Sequence, residues 1–371
     1  MTDTKSKDGL LSERSEQWIE FSRLELPLSV KRKLLSQFSE PAKILAARTS
    51  ALETITESRW PHCKSLRQLV DWKGVQIDRL WVSEPTRRII GLSDEAYPPL
   101  LREISDPPVV LYAQGDCSLM LSRGLAIVGS RNPTPIGRET AMNIAKVLAA
   151  EGHVIVSGLA AGIDAAAHMG ALKSHGPTIA VCASGLDIVY PRQHLGLARR
   201  IGEAGLLLSE YPPGTGVRRH HFPYRNRLIS GMTLGTLVVE ATQKSGSLIT
   251  ARHAADQGRE VFAVPGSVYS PLSKGPHQLI KEGASLVTSI ADIQEELPVF
   301  GGFSMPASTR QTTDRGHDAL LDAIDYVPTS VDQIIVRSGL TAAKVCSMLI
   351  GMEIAGKIRN CGGRYLRNLA S

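Results

Sequence analysis

The sequence contains no run approaching the ~20 apolar residues that a helix needs to cross a bilayer. Its first residues, MTDTKSKDGLLSERSE, also lack the apolar core of a signal peptide. No membrane partner is expected, and the expected compartment is the cytoplasm. Cysteine is scarce. Cys63, Cys117, Cys182, Cys346 and Cys361 are scattered, odd in number and never spaced C-x-x-C, which argues against a disulfide framework and a structural zinc site. Neither sign of charge dominates: 42 Lys and Arg against 36 Asp and Glu leave a net +6. That surplus permits a nucleic-acid partner without requiring one.

What is present describes a soluble globular chain, 43% hydrophobic and 21% charged. Its 371 residues call for two or three folded units. From residue 10 to about 95 apolar residues recur at three- and four-residue steps (Ile19, Leu24, Leu28, Leu34, Phe38, Ile44), broken by Pro27 and Pro41, which predicts a small bundle of short helices. The stretch from Tyr97 to Tyr112 is punctuated by prolines and leads into the next unit.

Over residues 96–297 short β-rich runs alternate with helical ones. The predicted strands are Leu125–Val128, Val154–Ser157, Thr178–Cys182, Leu206–Glu210, Thr236–Glu240 and Glu260–Val264, with Leu286–Thr288 as a possible edge. Nearly all-apolar strands separated by helices predict an α/β, Rossmann-like parallel sheet covered on both faces. Its ligand site is expected at the carboxyl ends of the strands. Residues 298–315 read as a Pro, Gly, Ser and Thr-rich linker. Residues 316–371 read as three short helices (Ala319–Ile324, Val331–Val336, Ala342–Met352) and a hairpin around Gly362-Gly363, the outline of a winged helix.

The usual phosphate signatures are missing. Arginine and threonine stand where G-x-G-x-x-G would place glycines two and five residues after Gly129, the second predicted strand ends without an acid for a ribose, and no P-loop occurs. Neither a dinucleotide nor any other cofactor is expected. In their place are donor-rich turns: Gly129-Ser130-Arg131, Ser157-Gly158-Leu159-Ala160-Ala161-Gly162-Ile163-Asp164, and Lys244-Ser245-Gly246-Ser247. Tight βα turns use Gly and Ser for geometry alone, but two that carry Arg131 and Lys244 on one sheet edge favour an anion.

The densest signal is Arg218-Arg219-His220-His221-Phe222-Pro223-Tyr224-Arg225-Asn226-Arg227, within a stretch free of acids from Tyr211 to Val239. It is either a solvated basic loop with anchoring aromatics or a surface for single-stranded nucleic acid. Arginines fork onto phosphates, and aromatic faces take unstacked bases; the interleaving of the two favours the second reading. Catalytic signals are thin. Asp164 and His168 share one helix face but are equally explained as a helix-capping Asp and a packed His, and Glu240 is either a base or a residue that ties loops together. No metal set is evident and no catalysis is expected.

The run Leu125–Leu297 resembles the DNA-processing protein A family, also called Smf, of bacterial natural transformation. The resemblance is carried by Ala126-Ile127-Val128-Gly129-Ser130-Arg131, Ser157–Asp164 with His168, Gly185-Leu186-Asp187 with Tyr190-Pro191, Ser209-Glu210-Tyr211-Pro212, Phe222-Pro223 with Arg225-Asn226-Arg227, Lys244–Ser247 and Val264-Pro265-Gly266. It implies a sterile-alpha-motif-like helical unit over residues 10–95 and a winged helix at the end. It also implies a homodimer that binds single-stranded DNA, protects it and loads the RecA recombinase, without catalysis. Arg131 matches a DNA-contacting arginine, Arg219 a basic contact and Phe222 an aromatic one. Gly275-Pro276-His277 and His194 depart from the family pattern. Two other readings stand beside this one. The first is a nucleotide-cleaving enzyme using Glu240. The second makes the winged helix, with six basic residues against Glu353 in residues 334–371, a duplex-DNA or protein contact.

Overall fold

The computed structural model describes residues 12–56, 65–297, 320–321, 323–354 and 356–368. The expected linker 298–315, Cys63 and residues 319 and 322 of the first helical pattern of the last unit lie outside these residues. No helix among the described residues is long and apolar enough to cross a membrane.

Nine strands form one sheet: β1 (Arg87–Gly91), β2 (Val110–Gly115), β3 (Gly124–Val128), β4 (Val154–Ser157), β5 (Thr178–Val181), β6 (Leu206–Ser209), β7 (Gly235–Val238), β8 (Glu260–Ala263) and β9 (Ser285–Leu286). Their order is β1-β2-β6-β5-β4-β3-β7-β8-β9. From β6 to β9 every pairing is parallel; β1–β2 and β2–β6 are antiparallel. The seven strands expected from the apolar runs are therefore present, Val154–Ser157 with the expected bounds and the others differing by a residue or two at their ends. β1 and β2 were not expected. β1 lies within the stretch read as helical, because five residues (RRIIG) show no pattern of their own and become a strand only against β2.

Alternate residues of each strand enter different cores. Leu125 and Ile127 of β3 face a core shared with α7 (Pro135–Ala150) and α8 (Ile163–Lys173). Ala126 and Val128 face the other, which holds Leu228 and Ile229 of α10 (His221–Gly231), Leu248 and Ala251 of α11 (Ser247–Asp256) and Leu279 of α12 (Lys274–Lys281). This period-two partition with both sides apolar is why the strands read as continuous hydrophobic runs.

The first helices, α1 (Glu13–Ser22), α2 (Leu28–Phe38), α3 (Pro41–Ala46), α4 (Thr49–Thr56) and α5 (Trp72–Val82), share a core with Tyr112, Ala180, Ile201 and Leu207 of the sheet unit. A buried polar junction fixes them there. Arg23 grips Asp78 through Nε (2.7 Å) and Nη2 (2.6 Å), and the Tyr112 hydroxyl of β2 donates to the same carboxylate at 3.0 Å. A bidentate guanidinium and a phenol together satisfy a carboxylate that water cannot reach.

The last unit has its own core of Ile334, Val345, Leu349, Met352 and Ile358. It contains α14 (Val331–Ser338), α15 (Ala342–Ile354) and the antiparallel hairpin β11 (Ile358–Cys361) and β12 (Arg364–Arg367), whose second strand also pairs with β10 (Thr329–Ser330). Gly362 and Gly363, both at positive φ, make the hairpin turn. Glycine populates that region without steric cost.

Candidate nucleic-acid interface

The chain leaves β3 for α7 and β4 on one side, whereas β7 and β8 lie on the other side of β3. The crevice between the carboxyl ends of β3 and β7 is thus the topological switch point, where open α/β sheets take their ligands. A cleft of about 670 Å³ opens there, lined by Gly129, Ser130 and Arg131 after β3, by Ser245, Gly246 and Ser247 before α11, and by Arg219, Phe222 and Asn226 at the start of α10.

Its walls are braced from beneath. The Ser130 N–H donates to the Glu240 carbonyl at 2.6 Å, joining the loops after β3 and β7. The Glu240 carboxylate accepts from the Thr134 N–H (2.8 Å) and hydroxyl (2.6 Å), while Thr134 caps α7 through the Gly137 N–H. Glu240 is therefore a loop-tying residue and not a base offered to the cleft. Asn226 reaches the Gly246 carbonyl at 3.3 Å, and Ser245 and Ser247 share a hydroxyl bond of 2.7 Å. Lys244 is exposed and Ser247 buried. Gly162 sits at φ +85°, and a β-carbon there would collide with the backbone of Ser130 and Arg131, so only glycine fits between these two turns.

The basic run does not face one way. Arg218–His220 form an exposed turn, and α10 begins at His221, so most of the expected loop is helix. Arg131, Arg218 and Arg219 are exposed. Arg225 and Arg227, each 4% exposed, are not, nor is His221. Arg225 donates to the carbonyls of Gly158 (2.8 Å) and Val181. Arg227 pairs with Glu210 (2.6 Å) and Asp106 (3.1 Å) and lies over the Tyr224 ring. His221 stacks on Tyr211 at 4.0 Å and bonds the Ala183 carbonyl, and burial lowers its pKa. This corrects the reading of residues 218–227 as one solvent-facing basic surface: helical periodicity turns positions 221 and 225 toward the sheet and 227 toward the acids beside it.

Asp164 and His168 are both buried and do not pair. Asp164 accepts from the N–H groups of Gly158 (3.1 Å) and Ala160 (3.4 Å). Burial raises its pKa, against the pull of Arg225 and those donors. His168 bonds Thr178 at 2.7 Å, and burial lowers its pKa to about 3. Both serve the fold. Of the departures from the family pattern, His194 bonds the Leu159 carbonyl (2.8 Å) and His277 accepts from the Gly266 N–H (3.3 Å), so each closes a loop at this sheet edge. Among the described residues no group of three or more His, Cys, Asp or Glu is arranged to hold a metal ion.

Sequence reasoning gave Tyr190 no role. The structure places it at the cleft wall, 5.5 Å from the Phe222 ring, while the Arg131 guanidinium lies over that same ring at 5.5 Å. Its Tyr190-Pro191 motif stood out in the sequence, but nothing there placed it beside a basic run about thirty residues further on.

Fold and site define a Rossmann-like α/β protein with a cation- and donor-lined cleft at its switch point, followed by a winged helix. The chain belongs to the DNA recombination-mediator protein A family, whose model matches residues 88–298; the model of the DprA winged helix domain matches residues 304–364. DNA processing protein DprA of Bacillus subtilis (strain 168) is 50% identical over 211 residues, 56% of this chain and 71% of that one. Protein Smf of Escherichia coli (strain K12) is 40% identical over 304 residues, 80% of this chain and 81% of the other. Among solved structures, DNA processing protein A from Streptococcus pneumoniae superposes with a TM-score of 0.68 at 35% identity, covering 78% of this chain and all of that one. The Helicobacter pylori protein, described for its single-stranded DNA binding mode, gives 0.52 at 32% identity over 57% of this chain and 95% of its own.

Proposed function

We propose that this protein binds single-stranded DNA in the β3–β7 cleft. One observation carries the reading: the exposed Arg131 and Arg219 line the cleft together with the half-buried Phe222 ring, over which the Arg131 guanidinium lies, so charge for phosphates and a π-face for a base meet at one place. The donor-rich Ser245-Gly246-Ser247 turn at the start of α11 adds backbone N–H groups suited to a phosphate oxygen. Family membership and the Helicobacter pylori relative support the same ligand.

The finer reading, that the bound strand is protected and handed to the RecA recombinase by a homodimer without catalysis, rests on the family resemblance. It predicts faster RecA filament growth on single strands in the presence of the protein. Cytoplasmic residence fits that role. Binding is tested by titrating labelled single strands at several salt concentrations. Affinity falls with a log–log slope of about −0.7 per phosphate neutralised, and Arg131→Ala with Arg219→Ala weakens binding and flattens the slope. An unchanged affinity and slope in the double variant removes the site.

The winged helix offers a second surface. Lys357, Arg359 and Arg364 of its hairpin are exposed, whereas α15 presents Lys344 as its one basic residue. We propose a nucleic-acid backbone contact through the hairpin, read out as duplex shifts lost on Lys357→Glu with Arg364→Glu.

A further inference from the structure

We propose that Tyr190 is a second base-stacking platform, which takes the nucleobase next to the one held at Phe222. The assignment rests on the single-strand reading above and extends its footprint to a loop that carries none of the basic run.

Three observations lead to it. Tyr190 is 49% exposed, although the Ala183–Leu186 segment from which its loop rises is buried. It lines both the main cleft and a small recess beside it, formed with Cys182, Ser184, Val217 and Phe222. The ring is thus held at its base and open toward the cleft. Phe222 is half-buried beside it, with the Arg131 guanidinium over its ring and Tyr190 inclined against it. Of the two rings at this wall, Tyr190 is the more exposed.

The angle between the rings decides how they share a ligand. At 57°, Tyr190 and Phe222 cannot stack in parallel on one base, so each presents its face to a different one. Two inclined rings beside Arg131 suit a strand whose backbone bends past the guanidinium while consecutive bases splay apart. Stacking of this kind accepts any base, because every base has a π-face. The ligand class is therefore the bases of a flexible single strand. Paired bases in a duplex cannot reach the wedge.

Stacking contributes nothing to phosphate neutralisation, which makes the role separable from that of Arg131. The full chain and its Tyr190→Ala and Tyr190→Phe variants are titrated with an oligothymidylate and with an abasic strand of equal length, across a salt series. Tyr190→Ala binds the oligothymidylate about 5- to 150-fold more weakly, the range that the loss of one stacked base produces, with the salt slope unchanged. Tyr190→Phe binds like the wild type, since the face is kept, and on the abasic strand all three proteins bind alike. Wild-type affinity of Tyr190→Ala for the oligothymidylate overturns the assignment. So does an equal loss on both strands, which makes Tyr190 a support for the loop. If Arg131→Ala loses binding while Tyr190→Ala does not, only this inference fails; a wild-type protein that binds neither strand overturns the single-strand reading and this one with it.

Discussion

Arg225, buried at the floor of the cleft, donates through Nη1 to the carbonyl oxygens of both Gly158 (2.8 Å) and Val181. It thereby joins α10 to the ends of β4 and β5, and its charge also offsets that of the buried Asp164. Gly158 is part of the fit, because a side chain there would collide with the guanidinium.

Removing that guanidinium orphans two carbonyls and leaves Asp164 without its cation. Arg225→Met is expected to lower the free energy of unfolding by about 3–5 kcal/mol, measured by chemical denaturation. The salt slope of single-strand binding is expected to stay at the wild-type value, since Arg225 faces carbonyls. A flattened slope would mean that Arg225 reaches phosphate after all.

His168 supplies a pH signature. Thr178 donates its only hydroxyl hydrogen to the Ile155 carbonyl (2.7 Å), so it must accept from His168 Nδ1–H, and the buried Nε2 has no hydrogen-bond partner. Burial lowers the pKa of His168 to about 3, below the unfolded value of about 6.5. Below pH 6.5 the unfolded chain takes up a proton that the folded one refuses. This group's contribution is therefore complete above pH 6.5 and falls by about 1.4 kcal/mol per pH unit as the pH drops toward 3. Unfolding titrations of the wild type and His168→Gln over that window should differ in slope by this amount; equal slopes exclude the assignment.

Glu240 gives a third test. Both carboxylate oxygens accept from Thr134 at the start of α7, so Glu240→Gln turns an amide N–H₂ toward a donor. The expected cost is about 1–3 kcal/mol of stability, seen as a lower denaturation midpoint. Release of bases from nucleotides by the wild type, abolished in this variant, would instead restore a catalytic role for Glu240.

The parallel strands β3 to β7 were legible because strands buried on both faces are apolar almost throughout, and that pattern survives in one dimension. β1 was not, because a short edge strand draws its stability from its partner; β2, between β1 and β6, lies in the proline-punctuated stretch and pairs antiparallel with strands on both sides. The glycine-rich turns were legible for a related reason: close approach of backbone to backbone, as at Gly162, tolerates glycine alone.

The cleft divides in the same way. Sequence by itself determined that four arginines, two histidines and two aromatics gather after a strand, on the edge where a ligand binds. Only the tertiary structure decided which of them face it. One turn of α10 separates Arg225, spent on carbonyls beneath the sheet edge, from the exposed turn of Arg218 and Arg219, and Arg227 is spent on Glu210 and Asp106. The structure also brought Tyr190 to Phe222 from a different loop. Composition counts cations and rings, but the direction of a side chain follows from helix phase and from the partners that packing sets beside it.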